Sequence, residues 1–343
     1  MCNSSLPEMK FCKCELHTPN GVLSNFGSLL QMALRENLSI QWREFQINFV
    51  NCNRPYRIST LQSNYCDNKT IFVFIASRPD SFAVRTAIRQ TWAKDMKSDM
   101  FTRFIIGAKH DPNIASQLVR EMQTFGDIIF VDIPDTYRLL FVKVYAAFQW
   151  QQVFCPKVKW VLKIDDDSIV NVDRLRFWMT KRMEPIRLKY PSTIFGRLNS
   201  FATPARGIRS KWHISRDDYS GWFYPTYAYG NIYILSNNAV MDILHQTEFV
   251  TSFAIEDVLF TGIVAHMAGI NTVDISMHLS MFRKRPTRGL CENGTPYLMT
   301  LANFRVKNKS EIVPMYSQEY DAFRKLPCHK QWTWDAIWQL IDP

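Results

Sequence analysis

The sequence predicts an α/β fold, a βαβ sheet with right-handed crossovers, because short apolar runs and helical stretches alternate along its central part. A second sign is the run Trp160-Val161-Leu162-Lys163-Ile164, which ends abruptly in Asp165-Asp166-Asp167. It reads as a buried strand that delivers carboxylates to its carboxyl end, where open α/β sheets place their ligand crevices. With 343 residues, 47% of them hydrophobic, the chain can bury one large core or two smaller ones.

The elements follow in order. From residue 1 to 68 periodicity is weak, cysteines are loosely spaced and Asn is frequent, so this stretch reads as stem-like, with local helix around 27–37. Ile71-Phe72-Val73-Phe74-Ile75-Ala76 is a strand, and Ser81 can cap the helix that follows over 81–94. Phe104-Ile105-Ile106 then reads as strand, 113–125 as helix, Ile128-Ile129-Phe130-Val131 as strand, 137–153 as helix and 160–164 as strand. A helix over 172–182, a Gly/Ser/Pro-rich loop over 196–210, a strand at Ile232-Tyr233-Ile234-Leu235 and a helix from about Glu256 to Ala268 extend the pattern. After residue 280 the chain turns basic and aromatic; Trp332, Trp334 and Trp338 near its end read as packing against the sheet, with a sugar-binding platform as the alternative.

Charge and cysteines narrow the setting. A net charge of +10 suits nucleic acid, an anionic membrane or a phosphorylated substrate. There is no long Lys/Arg block, and the basic residues lie scattered among aromatics, so no nucleic-acid partner is expected. The cysteines at 2, 12, 14, 52, 66, 155, 291 and 328 lack the paired spacing of a zinc ribbon and suggest stapling of peripheral segments in an oxidising lumen. Sequons at Asn3, Asn37, Asn68, Asn293 and Asn308 support a secretory location. No segment has the roughly 18 to 20 apolar residues that span a bilayer.

Four constellations carry chemistry. Asp165, Asp166 and Asp167 repel one another unless a cation compensates them, and hard oxygen ligands suit Mg²⁺ or Mn²⁺; the plain alternative is a solvated acidic turn. An EF-hand loop is excluded, since Ile169 and Val170 stand where that motif needs an acid and a Gly. Arg85 and Arg89 lie four residues apart on one helix face, where they suit a diphosphate or, equally, surface salt bridges. Tyr224 to Gly230 is an aromatic loop entering a strand, fit for close approach to a sugar or base ring or for ordinary packing. Glu256-Asp257 opens a helix, where the dipole favours acids and where an Asp can also serve as general base.

Taken in order, these segments resemble the β-1,3-galactosyltransferase-like glycosyltransferases, a family that includes β-1,3-N-acetylglucosaminyltransferases and, distantly, the Fringe enzymes. The resemblance runs from about Ile71 to Val273. It covers Arg85 to Trp92; Gly126-Asp127-Ile128 with Asp132, Asp135, Tyr137 and Lys143; Lys163 to Asn171; Tyr224 to Ser236; and Glu256-Asp257-Val258 with Gly262. It implies a GT-A fold, a Rossmann-like mixed sheet flanked by helices, over residues 69–280, with 281–343 as a C-terminal extension packed on that domain. It also implies inverting transfer of a hexose, galactose before N-acetylglucosamine, from a UDP-sugar to the 3-hydroxyl of a glycan on protein or lipid. A catalytically silent UDP- or glycan-binding scaffold on the same fold is the alternative. Mn²⁺ or Mg²⁺ would be held by Asp165, Asp167 and His278, with His266 as second choice for the imidazole. The donor would lie against Arg85, Arg89, Lys163, Asp165, Asp166, Tyr229 and Gly230, and Asp257 would be the base. The implied setting is the lumenal side of the Golgi membrane, reached through an anchor that this chain does not carry. Two departures stand out. The family's Asn-Leu-Thr-x-Lys-Thr run is here Leu139 to Val144, which removes polar groups expected near the donor, and Asn231 stands where the family favours Gly.

Overall fold

The structure is a computed structural model that describes residues 41–60, 66–280 and 285–329. The expected helix at 27–37, the cysteines at 2, 12 and 14, the sequons at Asn3 and Asn37 and the three C-terminal tryptophans lie outside the described residues.

The strands are β1 (Gln41–Phe49), β2 (Cys52–Thr60), β3 (Ile71–Ala76), β4 (Met100–Ala108), β5 (Ile128–Pro134), β6 (Trp160–Asp165), β7 (Ile169–Val170), β8 (Thr193–Asn199), β9 (Tyr227–Ser236) and β10 (Asn271–Asp274). Nine of them form one mixed sheet in the order β1-β2-β5-β4-β3-β6-β9-β8-β10. The pairs β5/β4, β4/β3 and β3/β6 are parallel, while β6/β9 and β9/β8 are antiparallel. Helices Phe82–Gln90, Pro112–Phe125 and Leu140–Phe154 make the crossovers. This is the Rossmann-like mixed sheet flanked by helices that the resemblance implies.

Both faces of the sheet are covered, which is why its central strands read as unbroken apolar runs. Phe72, Phe74 and Val161 face a core with Val144, Phe148 and Phe260. Val73, Ile75, Leu162 and Ile164 face a second core with Ile88, Trp92, Leu118 and Trp178.

From β3 the chain winds outward to β4 and β5, then returns to the other side of β3 as β6. The strand order therefore reverses between β3 and β6, and a crevice opens at their carboxyl ends. Ala76 pairs with Asp165 at that point.

Three expectations change. The stem-like reading of 1–68 fails for 41–60, because β1 and β2 form a hairpin whose second strand pairs with β5. Ser81 stands at the helix start but makes no capping bond; its hydroxyl accepts from Arg78 Nε instead. The stretch expected as one helix from Glu256 is wound as wide turns over Val258–Val264 before a short α segment, Ala265–Met267.

Disulfides join Cys66 to Cys155 and Cys291 to Cys328, and Cys52 is disulfide-bonded too. Among the described residues no helix is long and apolar enough to cross a membrane.

Candidate active site

The acid turn leaves β6 at the reversal point. Ser77, the residue after β3, donates from its hydroxyl to Asp166 Oδ2 at 2.8 Å, which ties the two strand ends together. The turn continues into β7, which pairs with β14 (Thr300–Leu301); that strand in turn pairs with β11 (Leu279–Ser280). Beyond the intervening β12 (Cys291–Glu292) and β13 (Thr295–Pro296), the C-terminal segment is thus fastened beneath the acids. Phe304 N donates to the Asp167 carbonyl at 2.8 Å, and Tyr316 Oη donates to the Asp166 carbonyl at 2.6 Å. Arg305, the next residue, reaches Asp167 Oδ2 at 2.9 Å through both Nε and Nη2.

Lys163 organises the other wall. Its buried ammonium donates to Asp165 Oδ1 at 2.6 Å and to the Gly230 carbonyl, and lies 3.6 Å from Glu256 Oε2. Burial alone would lower its pKa; the charges of Asp165 and Glu256 outweigh that and raise it. Burial likewise pushes the Asp165 carboxyl up to about 6 and the Glu256 carboxyl up to about 7, with Lys163 opposing both rises. Asp257 accepts from Gly230 N at 2.9 Å and from Val258 N at 3.0 Å. Its carboxyl is raised by burial, an effect that Lys163 and these amides partly offset.

Two cavities meet here. One, of 330 Å³, is walled by Tyr224, Tyr227, Tyr229, Trp212, Glu256 and Asp257. The other, of 620 Å³, is walled by Ser77, Arg78, Lys143, the three acids, Lys307 and Lys309. Tyr137, Leu140, Asp165, Lys211 and Arg305 belong to both and form the neck between them.

Of the residues singled out in the sequence, Lys163, Asp165, Tyr229, Gly230 and Asp257 come together around the smaller cavity, and Asp165, Asp166 and Asp167 line the larger one. Arg85 and Arg89 are not brought to either. Arg85 is fully buried and binds Glu121 at 2.6 Å, Ser77 and the carbonyls of Arg78 and Pro79. Arg89 binds Asp127 and Glu121. Their face of the helix meets Glu121 on the neighbouring helix and Asp127 just beyond its end, and these acids engage both guanidinium groups. Gly230 also has a different reason from the one expected: a Cβ there would lie 3.1 Å from Asp257 Oδ2, so the close approach is to the Asp257 carboxylate.

The divalent metal implied by the resemblance was expected between Asp165, Asp167 and His278. Asp167 Oδ1 is buried without a hydrogen-bond partner, as an oxygen awaiting a cation would be. The rest of the donor set is missing. His278 is packed between Trp178 and Tyr297, with Nδ1 on the Tyr297 carbonyl at 2.8 Å, and burial lowers its pKa. The second choice, His266, lines a separate surface cavity with Tyr219 and Thr272. Asp165 and Asp167 are already paired with Lys163 and Arg305. Among the described residues no group of three or more His, Cys, Asp or Glu is placed to hold a metal ion. The residues do not fit the expected metal site.

The sequence reading missed Arg305, Lys211 and Ser77. The basic turn after residue 280 was the available signal for the first, and the position directly after a central strand for the last. The apolar departure at Leu139 to Val144 proves to be mostly core: Leu139, Phe141, Val142 and Val144 are buried, and Leu140 lines the neck.

A nine-stranded mixed sheet with its crevice at the reversal point is a frame on which open α/β folds place a ligand. The chain belongs to the galactosyltransferase family, whose model matches residues 83–276. Beta-1,3-galactosyltransferase 1 of Mus musculus and of Homo sapiens are each 30% identical to it over 215 residues, 61% of this chain and 64% of theirs. Beta-1,3-galactosyltransferase 5 of Pan troglodytes is 30% identical over 62% of this chain and 70% of its own. The chain thus spans somewhat less than two thirds of the length of the first of these relatives. Among solved structures, a glycosyltransferase involved in glycosylation of the major capsid of PBCV-1 aligns with TM-score 0.40 and 9% identity, over 73% of this chain and 99% of that one. The galactosyltransferase LgtC, in complex with donor and acceptor sugar analogs, aligns with TM-score 0.37 and 12% identity, over 75% and 97%.

Proposed function

We propose that this protein transfers galactose, with inversion, from UDP-galactose to the 3-hydroxyl of an acceptor glycan on glycoprotein or glycolipid, forming a β-1,3 linkage. The observation that carries the reading is Asp257, a half-buried carboxylate in the wall of an aromatic cavity, across a narrow neck from a larger basic one. The basic cavity suits the nucleoside diphosphate and the aromatic one the acceptor sugar, whose apolar faces pack on tyrosine and tryptophan rings.

In this reading the acceptor hydroxyl attacks C1 of the donor sugar as the bond from C1 to the diphosphate breaks. The hydroxyl proton passes to Asp257, which two backbone amides hold in place. A base must be ionised to act. Because burial raises the Asp257 carboxyl, turnover rises with pH on the acid side until that group is deprotonated. Disulfides and the sequons at Asn68, Asn293 and Asn308 support action in an oxidising lumen, that of the Golgi by family likeness.

The test is UDP release with UDP-galactose and UDP-N-acetylglucosamine offered in turn against a panel of acceptor glycans. Asp257→Asn should lower kcat by about 10²- to 10⁴-fold while UDP still binds. UDP binding with no transfer to any acceptor would instead support the silent scaffold.

A further inference from the structure

The neck between the cavities is where the leaving diphosphate of the proposed reaction would sit, and its two cationic side chains come from segments outside the central sheet. Arg305 arrives on the C-terminal segment, fixed by the Phe304 amide on Asp167. Lys211 arrives on the long loop between β8 and β9, with its ammonium 4.4 Å from the Trp212 ring centre and 5.3 Å from that of Tyr137. Among the described residues Lys211 makes no ion pair. The Arg305 side chain is 62% exposed and meets Asp167 along one edge only, through Nε and Nη2. Six cationic side chains line the larger cavity against four carboxylates, so the cavity is matched to an anion even before any ion is added.

We propose that Arg305 and Lys211 neutralise the donor's diphosphate, the task that the family resemblance gives to a metal held by Asp165, Asp167 and His278. The inference rests on the reading of the donor as a UDP-sugar. Asp167 then serves as the arm that orients the guanidinium, whose fork matches phosphate oxygens. When the bond from C1 to the diphosphate breaks, its electron pair stays on the departing phosphate oxygen. The added negative charge faces Arg305 and Lys211, UDP leaves, and the acceptor proton remains on Asp257.

The experiment is calorimetric titration of the whole chain with UDP, once in excess chelator and once with Mn²⁺. The expected result is equal affinity in the two buffers. Arg305→Ala should bind UDP about 10- to 100-fold more weakly, and Lys211→Ala should also lose affinity. Arg305→Lys, which keeps the charge and loses the fork, should recover part of the loss. An unchanged melting temperature separates these effects from misfolding. UDP binding that vanishes in chelator, returns with Mn²⁺ and ignores Arg305→Ala would overturn the inference while leaving the donor reading intact. Binding of UDP under neither condition would overturn the donor reading and the inference with it.

Discussion

Gly230 and Asp257 are in direct contact: the Gly230 amide donates to Asp257 Oδ2 at 2.9 Å, and no side chain fits between them. The same glycine's carbonyl takes the Lys163 ammonium. One residue therefore fixes both the proposed base and the lysine that restrains its neighbours. In Gly230→Ala the new methyl would lie 3.1 Å from Oδ2 and 3.3 Å from Cβ of Asp257, tighter than ordinary contact, so the carboxylate must turn. Turnover should fall by about 10²-fold, the scale set by a misplacement on the order of 1 Å, with UDP affinity little changed. Steady-state kinetics beside UDP titration checks this; equal loss in both would place the glycine's role in donor binding.

Arg85 offers a contrasting case. It is a sequence-marked arginine whose six hydrogen bonds all serve the fold: those to Glu121 along the neighbouring helix, to the Ser77 hydroxyl, and to the carbonyls that shape the turn after β3. Removing it leaves Glu121 buried with only Arg89 as counter-ion. Arg85→Ala should cost about 3–5 kcal/mol of stability, read as a lowered denaturation midpoint. A loss of UDP binding without loss of stability would return Arg85 to the donor site.

These cases show what was legible in the sequence. An apolar run ending in Asp165 to Asp167 carries its own position, because a buried strand must end at the sheet's edge and its acids must emerge there. Asp257, at the head of a turn of helix, is similarly local. The role of Arg85 depends on Glu121, and that of Arg89 on Asp127, residues 36 and 38 positions away, which no helical spacing reveals. His278 ends a single helical turn, Ser276–His278, just before β11, and one turn has too little periodicity to show which way its ring faces. The hairpin of β1 and β2 does leave a trace, the alternation Phe45-Gln46-Ile47-Asn48-Phe49, while Pro55 in the facing strand is a residue that weakens a strand signal. Arg305 reaches the cleft only because β14 pairs with β7, a contact between segments far apart in sequence.

Tyr316 links that C-terminal segment to the acids by one bond, its hydroxyl to the Asp166 carbonyl at 2.6 Å. Tyr316 lines the larger cavity and is otherwise buried against Phe304. Tyr316→Phe keeps the ring and removes the donor, leaving the carbonyl that fixes the acid turn short of a partner. A loss of about 1 kcal/mol is expected, appearing as roughly a fivefold weaker UDP affinity with the fold retained. UDP titration of the variant measures it; unchanged affinity would mean that the Phe304 amide alone holds the turn.

Asp132, on β5, gives the protein a pH-dependent stability that has nothing to do with the cleft. It is almost fully buried, its Oδ1 has no hydrogen-bond partner, and burial pushes its carboxyl up to about 7, against the opposing pull of Arg57. A carboxyl whose folded pKa lies above its unfolded value binds more protons in the folded state. Its favourable contribution is therefore complete below about pH 4 and is lost as pH rises towards 7. Asp132→Asn keeps the shape and cannot ionise, so the variant should be more stable than the parent at pH 8 by about 1–3 kcal/mol, with the difference shrinking towards pH 5. Denaturant unfolding of both proteins at the two pH values checks the sign as well as the size. A variant less stable at pH 8 would mean that the Asp132 charge is satisfied by Arg57 and that its ionised form supports the fold.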